Sequence, residues 1–140
     1  MTNNETLIRQ FIQQVWNDKI SGSIAQFVSP AYTIHLDNGD PWEGQTVDHH
    51  TFAQRLRYSF DSFSDMHFDI RSAIADGDMV ALTWLMTGTN NGPIGGFPPT
   101  HRSIAANGVT LYHISDGKVT GHTQVYDRTT IMKQLGFIPA

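Results

Sequence analysis

His113 and Asp127, fourteen residues apart, are the side chains of this chain best suited to acid–base work. Asp127 closes a strand-like run that also carries Thr123 and Tyr126, and the short amphipathic segment Arg128–Leu135 follows at once. A carboxylate at such a strand end is well placed to act as a general acid or base. His113 lies on the preceding run, Val109–Ile114, and the turn between the runs decides whether the two side chains share a face. Ser115–Asp116–Gly117–Lys118 has the Asp-Gly signature of a tight hairpin. A two-residue loop would pair His113 with Thr120 and set Asp127 on the opposite side. A three-residue loop, with Gly117 left-handed in a bulge, gathers Val109, Leu111, His113, Val119, Thr123, Val125 and Asp127 on one face. Thr110, Tyr112, Ile114, Thr120, His122, Gln124 and Tyr126 then form the other. We prefer the second register, because its first face is mostly apolar and suits a core or pocket wall, with His113 and Asp127 as its titratable groups.

Each of these residues also has a plainer reading. Asp127 is a good N-cap for a helix beginning near Thr129, since aspartate is among the preferred capping residues. His113 could be a core histidine held by one hydrogen bond, and His35 could face either a pocket, the core or solvent. Trp84 reads as core before recognition. His49 and His50 read as solvated residues at a helix start, where neighbours in sequence point apart and make poor co-ligands. No His-Glu-x-x-His or comparable spacing occurs, so no metal is expected.

The whole chain bounds the rest. Its 140 residues make one domain, large enough to bury a core without disulfides or metal. With no cysteine, a disulfide framework, a thiolate nucleophile and cysteine-ligated metal are excluded, which fits a bacterial-type cytosolic protein. A net charge of −4 and scattered basic residues argue against nucleic acid as a partner. No apolar run approaches membrane-spanning length and Met1–Arg9 is polar, so no membrane partner and a cytoplasmic location are expected.

Helical periodicity comes first. Leu7, Ile8, Phe11, Ile12, Val15 and Trp16 predict a helix over about Asn3–Asn17, with Thr2 and Glu5 as a capping box. Ser21 or Ser23 starts a shorter helix presenting Ile24, Phe27 and Val28, and Pro30 stops it. Tyr32–Leu36 reads as a strand, Gly39–Pro41 and Gly44 as a loop, and Phe52, Leu56 and Phe60 as the stripe of a third helix. His67–Ala75, Val80–Gly88 and His101–Ala106 are strand-like, separated by the turn Asp76–Gly77–Asp78 and the loop Asn90–Pro99. Helices followed by an antiparallel series of strands predict an α+β domain with helices on one face of the sheet.

Trp84–Asn91 (WLMTGTNN), Gly96–Arg102 (GFPPTHR) and Asp116–Gly136 (DGKVTGHTQVYDRTTIMKQLG), in this order and spacing, resemble the SnoaL-like polyketide cyclases of the nuclear transport factor two-like superfamily over essentially the whole chain. The resemblance implies a cone-shaped α+β barrel: a strongly bent, mostly antiparallel sheet around N-terminal helices, with an internal pocket. It also implies a homodimer through the outer sheet face and ring closure by intramolecular aldol condensation without metal or cofactor. An aspartate at the position of Asp127 is then the acid/base residue, with a histidine matching His113 beside it. An aromatic substrate spreads the enolate charge itself, so a carboxylate suffices as base where burial raises its pKa. Phe52, Leu56, Phe60, Trp84 and Phe97 would line the pocket for a flat apolar ligand, with His35 and Thr123 as further contacts.

The chain departs from the family pattern at Thr83, where arginine is common, at Asn90 and His101, and at Gly121–His122–Thr123, where Glu-His-Trp is usual. Loss of the tryptophan at Thr123 predicts a larger or reshaped pocket beside Asp127. Two other classes of function stand beside the cyclase or isomerase: a non-catalytic small-molecule binding protein of the same fold, and a dimeric interaction module pairing through Tyr112, Ile114, Gln124 and Tyr126. Epoxide hydrolysis, also found on this fold, would need a water-activating Asp-Arg-Asp arrangement, and nothing in the sequence supports it specifically.

Overall fold

The computed structural model describes residues 3–140, so the Thr2 half of the expected capping box lies outside the described residues. Helix α1 (Asn3–Phe11) continues as a wider π-helical stretch over Ile12–Asn17, together matching the extent its periodicity predicts. Ser21–Ser23 forms a 3-10 turn leading into α2 (Ile24–Phe27). Pro30 does not stop that helix but lies inside β1 (Val28–Asp37), which begins four residues before the predicted strand. A two-residue strand β2 (Thr46–Val47), unforeseen in sequence, precedes α3 (His49–Ser62), whose N-cap Asp48 accepts from Thr51 N–H at 2.8 Å. Strands β3 (His67–Asp76), β4 (Met79–Thr89), β5 (Ser103–Ser115) and β6 (Lys118–Tyr126) follow, and α4 (Arg128–Leu135) closes the chain.

The strands form one open, mixed sheet in the order β2-β1-β6-β5-β4-β3, antiparallel except where β1 runs parallel to β6. The α+β architecture is as expected, although the sheet does not close into a barrel: β2 and β3 remain as edges. Most of the expected strand His101–Ala106 and all of Val109–Ile114 are parts of one strand, β5, with His101 and Arg102 lying before it. Gly108 carries that strand past the Trp84 ring, onto which any Cβ at this position would fall. Phe11 of α1 packs its ring against Phe27, Phe52 and Tyr112, which locks the first helix to α3 and to the inner face of the sheet.

Irregularities in the strand ladders re-aim side chains. The β5–β6 turn is a two-residue loop, Asp116 and Gly117 both at positive φ as the tight hairpin requires, with Ser115 paired to Lys118. The bulge expected in the loop sits instead in β6, where Ile114 pairs with Val119 but His113 with Gly121, leaving Thr120 as the extra residue. A second bulge lies in β1, between the pairs Ile34–His122 and Leu36–Thr123; it turns Asp37 onto the same side as Tyr32 and Ile34. A third breaks the β3–β4 register between Ile70 and Ser72. Among the described residues no helix is long and apolar enough to cross a membrane.

Candidate functional site

The concave side of the sheet and the facing helices enclose a cavity of about 750 Å³. Its wall is largely aromatic and aliphatic, with Trp16, Phe68, Leu82, Trp84, Met86 and Ile104 contributed by the helices and central strands. The polar groups concentrate on β1, α3 and β6. The two bulges together bring Tyr32, Asp37, His122, Gln124 and Tyr126 to the inner face, where His122 pairs in register with Ile34, and Gln124 with Asp37.

Asp37 is the hub. It is 2% exposed, and three donors converge on its Oδ2: His122 Nε2 at 2.8 Å, Arg55 Nη2 at 3.0 Å and Gln124 Nε2 at 3.2 Å. Arg55 Nε reaches Asp40 Oδ2 at 2.8 Å, so one guanidinium bridges two carboxylates. Tyr32 Oη lies 2.6 Å from His122 Nδ1, and with His122 Nε2–H given to the carboxylate, the Tyr32 hydroxyl donates to Nδ1. The chain extends through Gln124 Oε1, which accepts from Thr110 Oγ1 at 2.8 Å, to Trp84 Nε1–H, which donates to Thr110 at 2.9 Å. Among the described residues no fully buried side-chain oxygen or nitrogen lacks a partner. Asp37 Oδ1 accepts none of these bonds, so it keeps access to the cavity that Asp37 lines.

Burial sets the electrostatics. It pushes the His122 imidazole below its ordinary pKa, and Arg55 adds to this, outweighing the opposing hydrogen bond and charge of Asp37. Burial also works against the Arg55 charge, but Asp40, the Tyr32 oxygen and Asp37 together hold its pKa above the ordinary value. Tyr32 is driven well above the phenol range, first by burial and then by Tyr112, so it stays a donor. A neutral buried histidine has a pH consequence. Because its folded pKa is depressed, its contribution to stability is complete above the unfolded value of about 6.5 and is lost as pH falls through the folded pKa. Urea unfolding should show stability falling on acidification below about pH 6.5, with a shallower fall in His122→Asn; parallel curves for the two proteins would reject this.

The His113–Asp127 face expected to line the pocket is the outer face of the sheet. His113 pairs with Gly121, six residues before Asp127, and at about 3.3 Å per residue this sets the two roughly 20 Å apart. Asp127 is exposed and caps α4: its Oδ1 accepts from Thr130 N–H at 3.0 Å and its Oδ2 from Thr130 Oγ1 at 2.6 Å. Those bonds, the hydroxyl's first, hold its carboxyl below the usual range. His113 packs at a tilt against the His35 ring with centroids 4.9 Å apart, also outside the cavity; burial and then His35 lower its pKa. Gly121 lies between them, where a Cβ would fall on the Thr33 carbonyl oxygen and press on the His35 ring.

Of the expected lining residues only Trp84 lies in the cavity wall. Phe52 is buried between Phe11 and Tyr32 in the core, Leu56 and Phe60 border a smaller pocket near Lys19, and Phe97 is exposed with its ring against Phe137. Thr123 pairs with Leu111 on the outer face, so loss of a tryptophan there does not enlarge the cavity. Thr83 is on the outer face as well, its hydroxyl against that of Ser72. Asn90 acts differently: buried, it donates to Gly92 O at 2.8 Å and accepts from Thr100 N–H at 2.7 Å. It thereby pins the loop that brings Pro93, Ile94 and Gly95 to the cavity. Tyr112 and Ile114, expected on a pairing surface, are buried inside, and Gln124 and Tyr126 line the cavity. His49 sits at a helix start as expected but is half-buried, its Nε2 2.7 Å from Val28 O.

The site residues missed in sequence are Asp37, Asp40, Arg55, His122 and Gln124. Arg55 had left a signal: it falls on the same stripe of α3 as Phe52 and Leu56, a charge where the helix is buried. Among the described residues no group of three or more His, Asp or Glu side chains is arranged to hold a metal.

A family model and one solved structure above 30% identity agree on the family. The family model for SnoaL-like polyketide cyclase matches residues 6–135. A putative polyketide cyclase from Acidithiobacillus ferrooxidans is 35% identical, with 97% of this chain and 96% of that one covered and a TM-score of 0.91. AclR, a putative hydroxylase from Streptomyces galilaeus, shares the fold at 23% identity and TM-score 0.80, over 98% of this chain and 83% of that one. A SnoaL-like polyketide cyclase from Agrobacterium tumefaciens shares it at 16% identity and TM-score 0.79, over 97% and 100%. No curated protein matches the chain. The chain belongs to the SnoaL-like polyketide cyclase family.

Proposed function

We propose that the protein is a cofactor-independent carbon-acid enzyme, closing a ring in an apolar, aromatic small molecule by intramolecular aldol condensation or a related step. The observation that carries this reading is the buried Asp37–His122–Arg55 network facing an otherwise apolar cavity. Asp37 takes the acid/base role that the resemblance suggested for Asp127. Its accessible oxygen removes a proton from carbon between two carbonyl groups, giving a carboxylic acid and an enolate. The enolate carbon attacks a second carbonyl of the same molecule, a carbon–carbon bond forms, and the resulting alkoxide recovers the proton from Asp37. His122, neutral and fixed between Tyr32 and Asp37, orients the carboxylate, while Arg55 balances its charge. The exposed Leu36, Val109 and Val125 on the outer sheet face support a homodimer through that face.

A second reading is favoured by one observation: Asp37, Arg55 and Asp40 form an Asp-Arg-Asp arrangement inside the cavity, as water activation for epoxide opening needs. Deuterium uptake at the acidic carbon of aromatic β-keto esters, followed by NMR, separates the two. Exchange above the buffer rate is expected. No exchange across a broad panel, together with ¹⁸O incorporation from water into aromatic epoxides, would overturn carbon-acid chemistry in favour of hydrolysis. Binding with neither reaction would leave a small-molecule binding protein.

A further inference from the structure

Two guanidiniums line the cavity, and only one is spent on the protein's own carboxylates. Arg55 is tied to Asp37 and Asp40, whereas among the described residues no carboxylate lies within ion-pairing distance of Arg128. Arg128 is nevertheless held in place. Its Nε donates to Tyr126 Oη at 2.9 Å, its guanidinium lies over the Tyr126 ring at 5.0 Å from the centroid, and it packs against Gly39 so closely that a Cβ there would fall on it. The Nη groups donate no hydrogen bond within the described structure, and the Tyr126 hydroxyl, accepting from Arg128, still has its own proton to give.

We propose that Arg128 and the Tyr126 hydroxyl form an anion anchor at the open end of the cavity, and that the natural substrate is an aromatic acid whose carboxylate docks there. This rests on the carbon-acid reading of the same cavity and specifies its substrate class. Tyr126 lies two residues beyond Gln124, the register partner of Asp37, along β6, about 7 Å at the usual strand rise. Gly39, against which Arg128 packs, lies in the turn that follows Asp37, closed by Asp40 N–H donating to Asp37 O at 2.9 Å. The anchor and Asp37 therefore stand along the same wall of the cavity, so one aromatic molecule can meet both. A guanidinium fixed by stacking and by one hydrogen bond meets a carboxylate with both remaining nitrogens, at little further cost in side-chain entropy.

The probes are an acetoacetyl naphthoic acid and its methyl ester, titrated against the full chain by fluorescence. The acid should bind about tenfold tighter than the ester, the modest end for charge-assisted bonds because Arg128 is exposed. The preference should shrink with added salt. Arg128→Met should bring the acid down to the affinity of the ester, and Arg128→Lys should restore part of the difference. Ester binding with no preference for the acid, or a preference that survives Arg128→Met, overturns the anchor alone. If neither probe binds, the cavity reading falls and the anchor with it.

Discussion

Asp37→Asn should lower deuterium uptake by about 10²- to 10⁴-fold, the range expected when a positioned general base is removed. The substitution keeps the size of the side chain but leaves no carboxylate oxygen to take the proton. Because Arg55 and His122 both donate to Asp37 Oδ2, the amide must present its oxygen to them, and its nitrogen then occupies the place of the base. Binding of a neutral aromatic ligand and the far-ultraviolet circular dichroism serve as controls, since a collapsed cavity would also abolish exchange. Asp127→Asn is the informative comparator. It sits outside the cavity at the start of α4, and asparagine caps a helix about as well as aspartate, so exchange should stay within about twofold of the wild type. If Asp127→Asn loses exchange and Asp37→Asn keeps it, the roles assigned to the two carboxylates are reversed and the inner network is structural.

The contrast between these two carboxylates shows what a sequence pattern can convey about a site. The apolar periodicity of the first seventeen residues and of α3 locates helices well, because each must bury a stripe and the stripe is visible at 3.6 residues per turn. The division of β5 and β6 into two faces was legible beyond the bulge: Val109, Leu111, His113, Thr123 and Val125 do share one face, and Thr110, Tyr112, His122, Gln124 and Tyr126 the other, whereas Val119, expected beside His113, is buried opposite Ile114. Which face points inward was not. The more apolar set was assigned to the interior on the ordinary assumption that hydrophobic residues are buried, but a ligand cavity gathers polar groups inside and this sheet leaves valines outside, Val109 45% and Val125 58% exposed. A bulge carries no sequence mark when its extra residue is a threonine, so the phase shift at Thr120 and the one that turns Asp37 inward could not be placed. Asp37, Arg55 and His122 come from three elements separated by 18 and 67 residues, and the pairing of β1 with β6 that unites them is parallel and long-range. The resemblance to the family supplied what local pattern could not: the fold and the presence of an internal pocket, though not which carboxylate faces it.

Arg55→Met tests the same network as a source of stability. Arg55 is 6% exposed and is the only guanidinium among the described residues that pairs with Asp37 and Asp40. Methionine fills much of its length, so the loss is chiefly of countercharge. The buried Asp37 and the half-buried Asp40 would remain without it, and the expected cost is about 3–5 kcal/mol, the usual penalty for removing one partner of a buried ion pair. The magnitude reflects the isolation of the charges left behind more than the intrinsic value of the salt bridge. A double variant therefore distinguishes the two. Asp37→Asn in the Arg55→Met background takes away one of the orphaned charges, and urea midpoints should show it less destabilising there than in the wild type, with a coupling of about 1–3 kcal/mol. Additive effects would mean that the guanidinium acts by packing against Trp16, whose ring lies 6.0 Å from it, and not through the carboxylates. Coupling of the expected sign would show that the Asp37–Arg55 pair also holds helix α3 onto the sheet. Loosening the site to admit a different substrate would then cost stability directly, because Arg55 joins Asp37 to the fold.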